Sequence, residues 1–323
     1  MTTNAALHVV FGAGQIGAGL ARTLRARGLR VRVVRRSAKA VGDGLEVVAG
    51  DARDAEFART ATDGAAVVYH CMNPSAYSAR AWEREFPLLG EALIASALAH
   101  GARLVCLDNL YGYGPTDAPR TESTPPRATG RKGLVRVRWQ ERLETARADG
   151  LRYVSLRPGD FFGPGTEQAL VSGDVVRALA SGKRPLTIGR SDVPHAFSYV
   201  PDVVAALAAL GTASDDVEGQ SFHAPVLEVT TAELFGLLGE ALGVRARPRV
   251  VGPLGVALLA PFVPALRELR ETLYQWDRPF LVSDARFRAR FPGLGTSLAD
   301  AVRDTAAAAQ PARRLGSTAP VPA

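Results

Sequence analysis

A turn of three glycines near the N-terminus constrains this chain more than any other feature. Residues 8–17 read HVVFGAGQIG: a short β-branched run, then Gly12, Gly14 and Gly17 at G-x-G-x-x-G spacing, then an amphipathic stretch. Between a strand and a helix each glycine has its own reason. Gly12 permits a tight turn, Gly14 lets backbone approach a diphosphate, and Gly17 lets helix and strand pack closely. The helix start, entered through Gln15 and Ile16, presents backbone amides to the anion. The first crossover is therefore expected to grip a dinucleotide.

The next 150 residues repeat that unit. Strand-like runs fall at 8–11, 30–35, 46–49, 66–70, 103–107 and 153–156, with helical stretches at 16–27, 53–60, 82–100 and 134–149. Strands alternating with amphipathic helices imply a parallel sheet covered on both faces, an α/β doubly wound Rossmann fold. Gly28, Gly101 and Gly150 each follow a helix where a left-handed cap belongs. Beyond residue 160 the pattern is mixed, with helices near 173–181, 203–213 and 231–242, and implies a smaller mixed α/β substrate-binding lobe. The expected division is a dinucleotide domain over 1–162 with 196–228 returning to it, a lobe from 163–195 and 229–305, and a flexible tail over 306–323. Segments 113–132 and 158–165, rich in Pro and Gly, read as loops near a site.

Bulk properties narrow the function. With 323 residues, 47% hydrophobic and 22% charged, the chain can bury a large core. Its net charge of +7 is spread through alternating acids and bases, so no basic tract suits a nucleic acid, and a small acidic ligand is the expected partner. The only two cysteines, Cys71 and Cys106, lie in apolar runs and read as buried thiols of a reducing, cytoplasmic setting. No signal peptide is visible. The longest apolar stretch, 253–266, contains three prolines; it is too short to span a membrane and reads as a buried helix, so no membrane partner is expected. No His/Cys/Asp/Glu cluster has metal-ligand spacing, and a serine-hydrolase elbow is absent.

The end of the second strand selects the dinucleotide. An acidic residue there holds the ribose hydroxyls of NAD, whereas this strand ends in Arg35, Arg36 and Ser37, which suit a 2′-phosphate. NADP(H) is expected, with NAD(H) the alternative.

Five ordered motifs then resemble the extended short-chain dehydrogenase/reductases, the group that includes NAD-dependent epimerases and dehydratases. Besides the glycine turn they are Gly50-Asp51, with Ala52 beside it; His70-Cys71-Met72-Asn73; Arg157-Pro158-Gly159 leading to Phe162-Gly163-Pro164-Gly165; and Phe197-Ser198-Tyr199-Val200 with Pro201-Asp202-Val203. The resemblance implies that Asp51 and Ala52 lie near the adenine, that Cys71, Met72 and Asn73 line the cofactor, and that Pro158 and Gly159 turn near the nicotinamide. It also implies pairing of two copies through the helices at 82–100 and 134–149.

The catalytic pattern departs from that family. Its members use Ser or Thr, Tyr and Lys, the Tyr exchanging a proton with the substrate oxygen. Counting from Tyr113-Gly114 puts Asn109 at the serine position. Lys132 is one of only three lysines among 39 basic residues, and taking it as the motif lysine puts Ala128 where the tyrosine belongs. The expected catalytic set is Asn109, Tyr111 and Lys132, with Lys132 also on the cofactor ribose. Tyr111 is either a substitute acid, its phenol lowered by Lys132, or an aromatic wall. Asp108 reads as a strand-end residue bonding loop amides. Tyr77, Phe161 and a loop His195 are placed on the substrate side. The expected activity is an NADP(H)-dependent oxidoreductase working on a carbonyl or hydroxyl carbon of a small polar molecule, sugar-derived ones included. The alternatives are a non-catalytic dinucleotide sensor or interaction protein, and an isomerase or lyase without net hydride transfer.

Overall fold

A computed structural model describes residues 6–42, 44–246 and 248–310. The strands are β1 (Leu7–Phe11), β2 (Arg30–Arg35), β3 (Glu46–Ala49), β4 (Ala65–His70), β5 (Arg103–Leu107), β6 (Tyr153–Arg157), β7 (Asp160–Phe162), β8 (Leu186–Ile188), β9 (Pro194–Tyr199), β10 (Gln220–His223), β11 (Leu227–Thr230) and β12 (Arg249–Val251). The helices are α1 (Gly17–Ala26), α2 (Ala55–Ala61), α3 (Ala79–His100), α4 (Arg131–Ala148), α5 (Gly173–Ala180), α6 (Val200–Thr212), α7 (Thr231–Leu242), α8 (Pro253–Leu259), α9 (Pro264–Leu269), α10 (Ala285–Arg290) and α11 (Leu298–Ala309).

Seven strands form one parallel sheet in the order β10-β6-β5-β4-β1-β2-β3. Their continuous apolar runs follow from burial on both faces: Val9, Val10 and Phe11 are fully enclosed. Helices α2, α3 and α4 cover one face through Phe86, Leu93 and Trp139, while α1 and α6 cover the other through Leu20, Leu24 and Leu207. The strand order reverses between β1 and β4, so the crossovers leaving them diverge and open a crevice beyond their carboxyl ends, where doubly wound sheets bind ligands.

The smaller lobe packs α5, α7 and α11 against the three-stranded sheet β11-β9-β7, around Phe162, Phe197, Phe235 and Trp276. A parallel pair, β8 and β12, lies beside it. Residues of α10 depart from the expected division, since Phe287 is buried in the core of the large sheet.

Two expectations need correction. Residues 306–309 are not a flexible tail but the last turn of α11, with Thr305 and Ala306 buried; residues 311–323 lie outside the described residues. The stretch 253–266 is not a buried helix. Pro261 and Pro264 interrupt it, giving the short helices α8 and α9, and only Val256 and Ala260 of it are buried. Among the described residues no helix is long and apolar enough to cross a membrane.

Candidate functional site

The crevice at the β1/β4 switch is a cleft of about 630 Å³, and the glycine turn forms its floor. Gly12 sits at φ +96°, and a Cβ there would meet the Cys71 carbonyl at 2.7 Å. A Cβ on Gly17 would come within 1.8 Å of the Gly12 carbonyl oxygen, so α1 can start against β1 only with hydrogen at that position. Gly14 differs: nothing lies within 4 Å of its would-be Cβ, which leaves its backbone bare toward the cleft. Gln15 and Ile16 line the same wall, and the Gln15 side-chain oxygen accepts from the Glu167 and Gln168 amides at 2.9 and 3.0 Å, tying a loop of the smaller lobe across the cleft.

The far end is formed by Arg35, Arg36 and Ser37 after β2 and by Asp51 and Ala52 after β3. Arg36 and Ser37 are exposed, and Arg35 donates to the Lys39 carbonyl at 3.1 Å. Asp51 is gripped by the guanidinium of Arg53, which holds its carboxyl down at about 2. Cys71, Met72 and Asn73, after β4, complete the near wall, and Phe161 reaches the cleft from β7. Burial pushes the Cys71 thiol up to about 12, so it is no nucleophile at neutral pH. These residues fit a dinucleotide: a bare Gly14 beside the start of α1 for the diphosphate, and a cationic end for the adenosine.

Asn109, Tyr77 and Tyr111, expected on the substrate side, lie outside the cleft lining, on and beside the 3₁₀ turn at Tyr111–Tyr113 that packs against α4. The Asn109 side-chain oxygen accepts from the Tyr111 amide at 3.0 Å and so caps this turn. Tyr111 stacks on Trp82, and its hydroxyl meets that of Tyr77 at 3.0 Å. Burial, then the neighbouring Tyr77 and Asp160, push the Tyr111 phenol well above its ordinary range. It therefore stays protonated at neutral pH, the reverse of the lowered phenol expected from the sequence.

Lys132 is engaged elsewhere. Its ammonium is fully buried, donates to the Glu268 carbonyl at 2.7 Å, and pairs with the carboxylates of Glu271 at 2.5 Å and Glu268 at 3.2 Å. It lies over the Tyr77 ring and outside the cleft lining, so its charge is spent on α9 and the turn that follows rather than on a cofactor ribose. One helical turn on, Arg136 faces inward instead: it pairs with Asp108 at 3.2 Å, donates to the Asn73 side chain at 3.0 Å and lies over the rings of Trp82 and Phe86. Asp108 also faces Arg157 at 3.5 Å, so it anchors two buried arginines rather than loop amides.

A family profile described as NAD dependent epimerase/dehydratase matches residues 8–224. The chain belongs to that family. Comparison with solved structures agrees on the fold. The UDP-glucose 4-epimerase of Thermotoga maritima, solved with UDP-glucose, is 20% identical at a TM-score of 0.76, over 94% of this chain and 98% of that one. The UDP-glucose 4-epimerase of Thermus thermophilus, in complex with NAD, is 21% identical at 0.74, over 95% and 99%. The UDP-glucuronic acid 4-epimerase of Bacillus cereus, in complex with NAD, is 13% identical at 0.76, over 94% and 98%. A sequence comparison with curated proteins found no match.

Within the epimerase/dehydratase fold, the register of α4 is what sequence reading missed. The helix opens at Arg131, so Ala128 precedes it, and the pair one turn apart at its start is Lys132 and Arg136. An i, i+4 count from Lys132 would have flagged Arg136. Three further candidates move. His195 is not on a loop: it lies buried in β9, stacked on Trp276 at 3.8 Å, with Nε2 on Asp160 at 2.7 Å and Nδ1 on the Gln275 carbonyl at 2.9 Å. Both ring nitrogens are thus held by oxygens, which fixes the ring inside the lobe. Pro158 and Gly159 do not line the cleft; the Gly159 amide donates to Ser198 at 3.0 Å, and its backbone presses on the Ala196 carbonyl. Tyr77 is half exposed and joins Thr272 to Tyr111. Among the described residues no group of three or more His, Cys, Asp or Glu is placed to hold a metal ion.

Proposed function

We propose that this protein is an NADP(H)-dependent oxidoreductase of the epimerase/dehydratase type, acting on a carbonyl or hydroxyl carbon of a small polar, sugar-derived molecule. One observation carries the cofactor preference: the cleft ends in Arg35, Arg36 and Ser37, with no carboxylate at the end of β2. Two guanidinium groups and a hydroxyl suit a 2′-phosphate, which a carboxylate would repel. The substrate class rests on the family and on the UDP-sugars named for its structural neighbours.

The bound dinucleotide supplies hydride exchange with the substrate carbon. The residues of this chain supply the rest. The glycine turn and α1 hold the diphosphate, and the basic end fixes the adenosine. Tyr111, kept protonated by its surroundings, offers its phenolic hydrogen to the substrate oxygen, and Tyr77 positions it through the bond between the two hydroxyls. Asn109 holds the turn that carries Tyr111. The loop clasped by Gln15 borders the dinucleotide cleft. A homodimer through α3 and α4 is supported by Leu88 and Leu134, which point outward on those helices. A cytoplasmic location is supported by the two free thiols.

Titration calorimetry with NADPH and NADH tests the cofactor, and NADPH oxidation across a panel of sugar-derived carbonyls tests the chemistry. Tighter NADPH binding that reverses in Arg36→Glu supports the reading; binding of neither dinucleotide by folded protein refutes it. A second reading, a non-catalytic dinucleotide-binding protein, is favoured by the neutralised Lys132. It predicts NADPH binding without turnover on any carbonyl.

A further inference from the structure

The most apolar segment of the chain is held on the outside. Leu254 is 82% exposed, Leu258 74% and Phe262 83%, with Leu259 and Val263 partly exposed beside them. Leu254 and Leu258 are one turn apart on α8, opposite Val256, which is fully buried in the lobe core. Gly255 approaches the Val251 side chain, so this attachment fixes α8 with its leucines outward. Scattered exposed leucines need no explanation, but five large apolar side chains within ten residues do.

Between Glu240 and Glu268, the stretch that carries the patch, the chain bears charge of one sign only. Residues 241–267 contain four arginines and no aspartate or glutamate. Arg245, Arg249, Arg267 and Arg270 are exposed, as is Lys183 beside the strand that pairs with β12. The acids that follow, Glu268 and Glu271, are turned away onto Lys132.

We propose that this face seats on an anionic lipid bilayer, with Leu254, Leu258 and Phe262 entering the acyl boundary and the arginines on headgroup phosphates. Apolar side chains rimmed by guanidinium groups match that interface in both chemistries, since phosphate accepts bidentate guanidinium bonds. A second copy of the chain suits the patch poorly, because two such faces would bring their arginines together. The proposal does not depend on the cofactor reading.

Flotation of the full chain with phosphatidylcholine vesicles, with and without phosphatidylglycerol, tests it. We expect binding only to the anionic vesicles, weakened by salt. Partition should fall about fivefold for each of Arg249→Gln and Arg267→Gln, and about tenfold or more for each of Leu258→Gln and Phe262→Gln. These side chains are exposed, so an unchanged melting temperature separates lost binding from lost fold. Absence of flotation with anionic vesicles, flotation unchanged by the variants, or equal flotation with phosphatidylcholine alone would overturn the proposal. So would concentration-dependent self-association that Leu258→Gln and Phe262→Gln abolish, because it would assign the face to a second copy.

Discussion

The glycine turn makes two separable predictions at positions only three residues apart. At Gly17 an added Cβ would stand 1.8 Å from the Gly12 carbonyl oxygen, whereas real Cβ contacts essentially never fall below 3.0 Å, so backbone must yield by more than an ångström. The shift would stretch the bonds that seat the turn, Gly12 amide to Val34 carbonyl at 2.9 Å and Ala18 amide to Gly14 carbonyl at 3.1 Å. Overpacking costs roughly 1–3 kcal/mol, and each weakened hydrogen bond about 1 kcal/mol. Gly17→Ala should therefore lose roughly 3–5 kcal/mol of stability. At Gly14 the same methyl meets nothing within 4 Å, and the φ there is not in the left-handed region. Gly14→Ala should change stability by less than about 0.5 kcal/mol while blocking approach of a diphosphate. Urea unfolding of both variants, beside NADPH titration followed by calorimetry, reads the two effects separately. If Gly14→Ala binds NADPH like the parent, the bare backbone is not a cofactor cradle. If it unfolds as early as Gly17→Ala, the geometry assigned to the turn is wrong.

Other outcomes follow from the buried polar groups. Arg136→Met leaves Asp108 fully buried with a single arginine partner at 3.5 Å and should cost roughly 3–5 kcal/mol, read by denaturant unfolding. Burial holds His8 and His223 near 4 and His70 near 3, below the ordinary 6.5. The unfolded chain takes up these protons first, so stability is complete above about pH 6.5 and falls as pH drops toward the folded values. The slope is up to about 1.4 kcal/mol per pH unit for each histidine; His70→Phe, at a ring stacked on Phe86 and edge-on to Trp139, should flatten it in unfolding curves from pH 7 to 4. Tyr111→Phe should lower kcat by about a hundredfold or more with NADPH affinity unchanged if the phenol is the proton donor; equal kcat would reduce it to an aromatic wall.

The alternation of β-branched runs with amphipathic helices was sufficient to read six of the seven strands of the sheet, because continuous apolar runs and 3.6-period helices are written directly in side-chain polarity; β10 fell in a segment expected only to return to that domain. The cleft was legible for the same reason: Gly12, Gly14, Arg35, Arg36, Asp51 and Asn73 lie at strand ends, and a doubly wound sheet gathers its strand ends at one crevice. What the linear order could not specify were contacts closing over more than a hundred residues. Lys132 is one residue into α4, yet its charge is claimed by Glu268 and Glu271, which only the fold of the smaller lobe brings near. Packing also decides, through burial, that Tyr111 keeps its proton, and over shorter separations that Arg136 bonds Asn73 and that His195 is enclosed against Asp160. It likewise decides that an apolar stretch resembling a core helix ends at the surface, since hydrophobicity records a cost of exposure and only packing shows whether a partner exists to relieve it.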